Sequence, residues 1–365
     1  MNSIHPVMSA LRVRLAFIFL SVFLAAAWQP ATAAIISTEF TLSGFVSSAT
    51  PGSFDLAALQ SYAAANPTAV KTVTVPKNGG GTDDYTGISL NSFLSSYLKT
   101  DSTVPKNDFL RDYVVATGTD GYKAAFSLGE INPAFGNQND IIAYQLNGQD
   151  LTTSGFARIV APGDIKAGRW VSNLSSLEVG HVAYTPGPGG TSTQFTVSGD
   201  VDTPITYTAA NLPGSLPTST VTVSSTGGTL PGTTFTGVSL LGLLNQSVIS
   251  VDPAIKNDIL RDIVIATGTD GYQVVFSMGE LLTNFGNQPN LLAYANAPGS
   301  ALGLDGFART VVSNDLKGGR YASNLTALIV VDATVPEPAT ALLMLGGLLG
   351  LGFGGLRRRS PGSVR

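Results

Sequence analysis

Apolar residues run free of charge near both ends of the chain and fall into short, mostly alternating stretches between them. From Ala339 to Leu356 eighteen residues carry no charge, and Arg357, Arg358 and Arg359 follow at once. A run of that length spans a bilayer as a helix and the arginines stay on the cytoplasmic side, so the pattern predicts a transmembrane helix with everything before Pro336 facing outward. At the other end Arg12 and Arg14 precede an apolar run from Leu15 to Ala27, and small residues follow in Ala31-Thr32-Ala33-Ala34. This is the layout of a secretory signal peptide, with cleavage expected near Ala33.

In the body, Phe40–Gly44 and Phe195–Gly199 read as strands. Thr86–Leu90 ends another strand, and Ser89 is placed to cap a short helix whose apolar positions include Leu90, Phe93, Leu94 and Tyr97. Tyr113–Ala116 and Tyr122–Phe126 flank Gly118-Thr119-Asp120-Gly121, which predicts a β-hairpin. Ser127 with Glu130, and Ser277 with Glu280, have the spacing of a capping box. Ile141–Tyr144 and Trp170–Val179 read as further strands. The class expected is α+β, mainly β.

These elements occur twice. Asn107–Tyr122 and Asn257–Tyr272 agree at thirteen of sixteen positions, and the agreement continues through Phe135-Gly136-Asn137-Gln138 against Phe285-Gly286-Asn287-Gln288. It resumes at Gly155-Phe156-Ala157-Arg158 against Gly306-Phe307-Ala308-Arg309, and ends at Ser172-Asn173-Leu174 against Ser323-Asn324-Leu325. A period near 150 exceeds that of solenoids or propellers, so two independent globular copies are expected. The Pro/Gly-rich stretch after Tyr184 marks the joint. The organisation expected is a signal peptide (1–33), a first repeat domain (34–183), a linker (184–190) and a second repeat domain (191–333). A sorting segment with its transmembrane helix (334–359) and a cytoplasmic tail (360–365) complete it.

Charge and composition narrow the chemistry. Without the two end segments the body keeps 14 basic and 23 acidic residues, a net charge of minus nine. That excludes nucleic acid as a partner held by bulk charge. The chain has no cysteine, which removes disulfides, thiolate ligands and cysteine nucleophiles. One histidine, His181, remains after export and stands near the joint, so no Ser-His-Asp set is expected. Asp83-Asp84 and the Asp120 turn lack the spacing of a calcium loop, and no metal site is expected. Asp108, Arg111 and Asp112, repeated as Asp258, Arg261 and Asp262, suggest local ion pairs.

Pro336-Glu337-Pro338, the apolar run and the triple arginine together resemble the PEP-CTERM sorting signal. That resemblance implies signal peptidase and exosortase as processing partners, a membrane-anchored precursor at the inner membrane, and a final place at the outer surface or in the extracellular matrix. The order of the repeated motifs, Thr-Gly-x-Ser-Leu, Thr-Asp-Gly-Tyr, Gly-Phe-Ala-Arg, Lys-x-Gly-Arg and Ser-Asn-Leu, resembles the molybdopterin-binding domain of the sulfite oxidase family. It implies two tandem copies of that mixed fold. It also points to Arg158 and Arg309, with the clusters Lys166 and Arg169 or Lys317 and Arg320, as positions that hold the pterin's phosphate. The family's oxidases bind molybdenum through a cysteine, which this chain lacks.

Taken from the residues alone, Arg158 and Arg309 offer a planar fork to a carboxylate or phosphate. The plainer alternative pairs each with an acid of its own copy, such as Asp120 or Asp270. The function expected is non-catalytic binding of exopolysaccharide or a small anion by an exported surface protein, without a cofactor. The alternative is a molybdopterin-dependent oxidoreductase that dispenses with the thiolate.

Overall fold

The computed structural model describes residues 35–334 apart from 78, 213, 224–232 and 298. The signal peptide and the sorting residues Pro336, Glu337, Pro338, Arg357, Arg358 and Arg359 lie outside the described residues. Among the described residues no helix is long and apolar enough to cross a membrane.

The described residues from Ile36 to Thr334 form one compact unit that is mainly β. In the first copy, β1 (Glu39–Gly44), β2 (Ser53–Asp55), β5 (Asp112–Gly118), β6 (Lys123–Ser127) and β10 (Leu174–His181) make one sheet, in the order β2-β1-β10-β5-β6. β3 (Val70–Pro76), β4 (Thr82–Ser89), β7 (Ile141–Leu146), β8 (Gln149–Asp150) and β9 (Arg158–Val160) make a second, in which β7 pairs with β4, β8 and β9. The second copy repeats both. β11 (Gln194–Gly199), β12 (Ile205–Thr208), β15 (Asp262–Gly268), β16 (Gln273–Ser277) and β20 (Leu325–Asp332) form the counterpart of the first sheet. β13 (Thr218–Val223), β14 (Thr233–Ser239), β17 (Leu291–Asn296), β18 (Ser300–Ala301) and β19 (Arg309–Val311) form that of the second. Every one of these sheets is built within a single copy.

Short helices sit where the sequence caps them. Helix α1 (Leu56–Ala65), absent from the sequence expectation, begins where Asp55 accepts from the Ala58 amide at 2.8 Å. Ser89 and Ser239 cap α2 (Leu90–Ser95) and α4 (Leu240–Gln246). Ser127 closes a full capping box with Glu130 at α3 (Leu128–Ile131), and Ser277 accepts from the Glu280 amide at α5 (Met278–Leu281). The β5/β6 hairpin turns at Gly121, whose φ of 80° belongs to the left-handed region that glycine tolerates.

Each copy fills its own core between its two sheets. Val114, Ala116, Ala124 and Phe126 point into the first, and Val264, Ala266, Val274 and Phe276 into the second. The alternate residues Tyr113, Val115 and Ala125 meet Ile263, Ile265 and Val275 in a separate apolar layer. The outer faces of β5 and β6 therefore pack on those of β15 and β16. These strands read as continuous apolar runs because both of their faces are buried. Joining the copies, Phe135 of the first belongs to the core cluster of the second.

Candidate functional site

The repeated motifs converge on the seam between copies, in reciprocal pairs. Ser127 Oγ donates to Glu280 Oε2 at 2.9 Å, and Ser277 Oγ donates to Glu130 Oε2 at 3.0 Å. Arg169 binds Glu130 and Asp164 at 3.0 and 2.5 Å, and Arg320 binds Glu280 and Asp315 at 2.7 and 2.6 Å. Each arginine lies against a glycine of the other copy, where a Cβ would come within 2.3 Å of Arg169 at Gly279 and 2.6 Å of Arg320 at Gly129. Asn107 donates to the Tyr272 hydroxyl and Asn257 to the Tyr122 hydroxyl, each at 2.9 Å. Residues 150 or 151 positions apart thus play the same part on either side of an approximate two-fold axis.

Two guanidiniums face five carboxylates in this seam, those of Glu130, Asp140, Asp164, Glu280 and Asp315, and all of these side chains are buried. Burial pushes the Glu130 carboxyl well up, against the pull of Arg169 and with the repulsion of Glu280 added. Asp315 is pushed up to about 6 by burial despite Arg320 beside it. Asp140 is pushed up to about 7 by burial, which Arg169 opposes and Asp164 reinforces. The arrangement fixes one register between the copies, since any slip would leave a buried charge unpaired.

Arg169 and Arg320 are each 1% exposed and engaged by carboxylates of the fold. The other residues singled out from the sequence lie elsewhere. Lys166 is exposed, and its backbone amide ties it to the second copy, donating to the Asn284 carbonyl at 2.9 Å. Lys317 is exposed and lines a cleft of about 400 Å³ at the seam, together with Lys106, Asn107, Asp270 and Tyr272.

Arg158 and Arg309 open β9 and β19 at equivalent register, opposite Ala143 and Ala293. Their partners differ. Arg309 donates to Asp305 four residues earlier and to the Tyr321 carbonyl at 3.3 Å, with its guanidinium 5.3 Å from the Phe235 ring centre. At the position of Asp305 the first copy has Ser154. Arg158 accordingly has no carboxylate within ion-pair distance among the described residues. Its guanidinium lies 5.5 and 5.7 Å from the ring centres of Tyr85 and Trp170, and its Nε has no partner. Burial pulls its pKa down from the ordinary guanidinium value, and Tyr85 offsets part of that. Neither arginine pairs with Asp120 or Asp270, whose carboxylates cap their own turns by accepting from the Tyr122 and Tyr272 amides.

The structure corrects the place of His181. It is the last residue of β10, paired in register with Asp112, and lies inside the first copy's sheet. Its Nε2 is 3.1 Å from Arg111 Nη2, which has only protons to offer, so Nε2 accepts and Nδ1 donates to Asp112 at 2.6 Å. Phe45 stacks on the ring at 3.7 Å. Asp101, Asp108 and His181 bring their ligand atoms together as a metal site would, and sequence spacing gave no sign of it. Arg111 Nη2 stands among them, 3.2 Å from Asp101 and 2.7 Å from Asp108, so a guanidinium already supplies the positive charge. Asp83 and Asp84 are held by Lys77, Asn147 and Thr74. In the second copy Asp332 takes the position of His181. Buried Asp262, with Asp200, Asp332 and Asp258 around it, is there pushed up to about 8.

No protein-family model matches the chain, and no curated protein matches it. Among solved structures it is similar to the sulfane dehydrogenase SoxCD from Paracoccus pantotrophus, with 19% identity and a TM-score of 0.28. The match covers 43% of this chain and 42% of that one, less than half the length of either. The residues present do not fit molybdopterin as the sulfite oxidase family holds it. No cysteine is available for the metal, and Arg169 and Arg320 are closed into internal ion pairs.

Proposed function

We propose that this is an exported surface protein that binds, without catalysis, a single carboxylate, sulfate or phosphate group carried by a small molecule or a sugar. Arg158 is the recognising residue. The observation that carries the reading is the missing counter-ion. Two copies place the same arginine at the same register, buried in the second and largely buried in the first, and where the second supplies Asp305 the first supplies Ser154. A buried guanidinium without an anion is costly, so an anion from solution gains the fork that Asp305 occupies in the other copy. Tyr85 and Trp170 flank the fork and hold its plane by cation–π contact. The acidic body favours a local anionic group over an extended polyanion. Export and sorting rest on the two end segments of the sequence.

Ser154→Asp tests this directly, because it places a carboxylate where the second copy has one. Titration calorimetry with sulfate, phosphate and oligouronides should show binding to the wild type that Ser154→Asp abolishes. Arg158→Lys should weaken it at least about tenfold, since charge without the planar fork is insufficient. Binding left intact in Ser154→Asp would refute the assignment. Intact-mass analysis of the surface fraction tests sorting, and a retained Arg357–Arg365 end would count against it.

A further inference from the structure

Away from Arg158, the seam carries a cleft that the packing of the copies does not use. The cleft of about 400 Å³ takes Lys106 and Asn107 from the first copy and Asp270, Tyr272, Lys317 and Ser323 from the second. Its floor is internally satisfied. Asn107 donates to the Tyr272 hydroxyl, which donates in turn to the Gly319 carbonyl, and Asp270 accepts from the Tyr272 amide. The two ammonium groups are different. The Lys106 ammonium lies 4.9 Å from the Tyr272 ring centre, and among the described residues neither Lys106 nor Lys317 reaches a carboxylate within ion-pair distance. Two cations and one committed acid thus line a pocket of small-molecule size in a body whose net charge is minus nine.

We infer that this cleft binds a small dianion, with Lys106 and Lys317 closing on it from opposite copies. A compact ligand bearing two negative charges, such as a dicarboxylate or a phosphate ester, satisfies both ammoniums at once. A monoanion satisfies one. The ring of Tyr272 already steers the Lys106 ammonium over the cleft, which lowers the ordering cost of binding. Because the lysines belong to different copies, such a ligand bridges the seam and stabilises the paired arrangement by mass action.

Thermal melts and calorimetry of the mature protein with inorganic phosphate, sulfate and citrate, at ionic strength held constant with chloride, test the inference. The expected result is saturable binding of the multivalent anions with a raised melting temperature. Lys106→Ala and Lys317→Ala should each weaken it at least about tenfold, as loss of one of two charge-assisted contacts does. Both lysines are exposed, so the unliganded variants should melt with the wild type. Lys→Gln variants at the same positions should lose binding in the same way if alanine perturbs the fold. Ser154→Asp, which closes the Arg158 fork, should leave this binding in place and so separates the two sites. Absence of binding in the Ser154→Asp background, or binding in that background that survives either lysine substitution, overturns the inference.

Discussion

Replacing Asp140 should stabilise this protein, and the second copy already contains the replacement. Asp140 precedes β7, is 2% exposed, and neither carboxylate oxygen has a partner. Its counterpart Asn290 occupies the same backbone setting, accepting from the Leu240 amide as Asp140 accepts from Leu90, and donates Nδ2 to Glu280 at 3.2 Å. A protonated Asp140 has a hydrogen to offer; an ionised one does not. With its folded-state pKa raised from 3.8 to about 7, the native state keeps a proton that the unfolded chain releases. Stability from this group is therefore fully present below about pH 4, declines as pH rises, and levels off above about pH 7. Some three pKa units at about 1.4 kcal/mol each give a ceiling of about 4 kcal/mol lost across that window. Asp140→Asn removes the titration and keeps the donor. Its advantage over the wild type should grow by about 2 to 3 kcal/mol between pH 5 and pH 8. Urea unfolding of both proteins at the two pH values measures this as a difference in midpoint at constant slope. An advantage equal at both pH values, or none at pH 8, would refute the claim that a buried ionised Asp140 burdens the seam.

Four further outcomes follow, three from the seam and the Arg158 fork and one as a control. Gly279→Ala drives a Cβ to 2.3 Å from an arginine that Glu130 and Asp164 hold fast, and should cost about 1 to 3 kcal/mol. Gly52→Ala, where a Cβ meets nothing within 4 Å, should stay within about 0.5 kcal/mol of wild type in the same melts. Proteolytic cutting in the linker at exposed Gly190 should leave the two halves associated on size exclusion, since separation exposes Tyr113, Val115, Ile263, Ile265 and Val275 at about 1.5 to 3 kcal/mol for each large side chain; halves that elute apart and melt unchanged would contradict a shared layer. Ser154→Asp should also raise the melting temperature in the absence of any ligand, because it supplies Arg158 with the partner that Asp305 gives Arg309, and an unchanged or lowered value would mean that the fork is satisfied in another way.

The sequence by itself determined what depends on neighbours along the chain. The duplication, the β5/β6 hairpin at Gly121, the helix starts at Ser89 and Ser127 and the mainly β class were all legible, because turn geometry, capping and alternation act over two to four residues. Helix α1 escaped because its ten residues are largely alanine, with Leu59 and Ala63 the only ones buried, so its apolar stripe is faint. What only the tertiary structure decided is how the shared motifs are used. Nothing local says that Ser127 donates across 153 positions to Glu280, or that Arg169 lies on a glycine of the other copy. His181 looked like part of a joint because β10 runs two residues past the last apolar position, and only its register with β5 sets the imidazole against Asp112. The fate of the arginines divides in the same way. Their spacing marked four of them equally, while burial and the chance of a nearby carboxylate, which are properties of packing, closed Arg169, Arg320 and Arg309 into the fold and left Arg158 without a counter-ion.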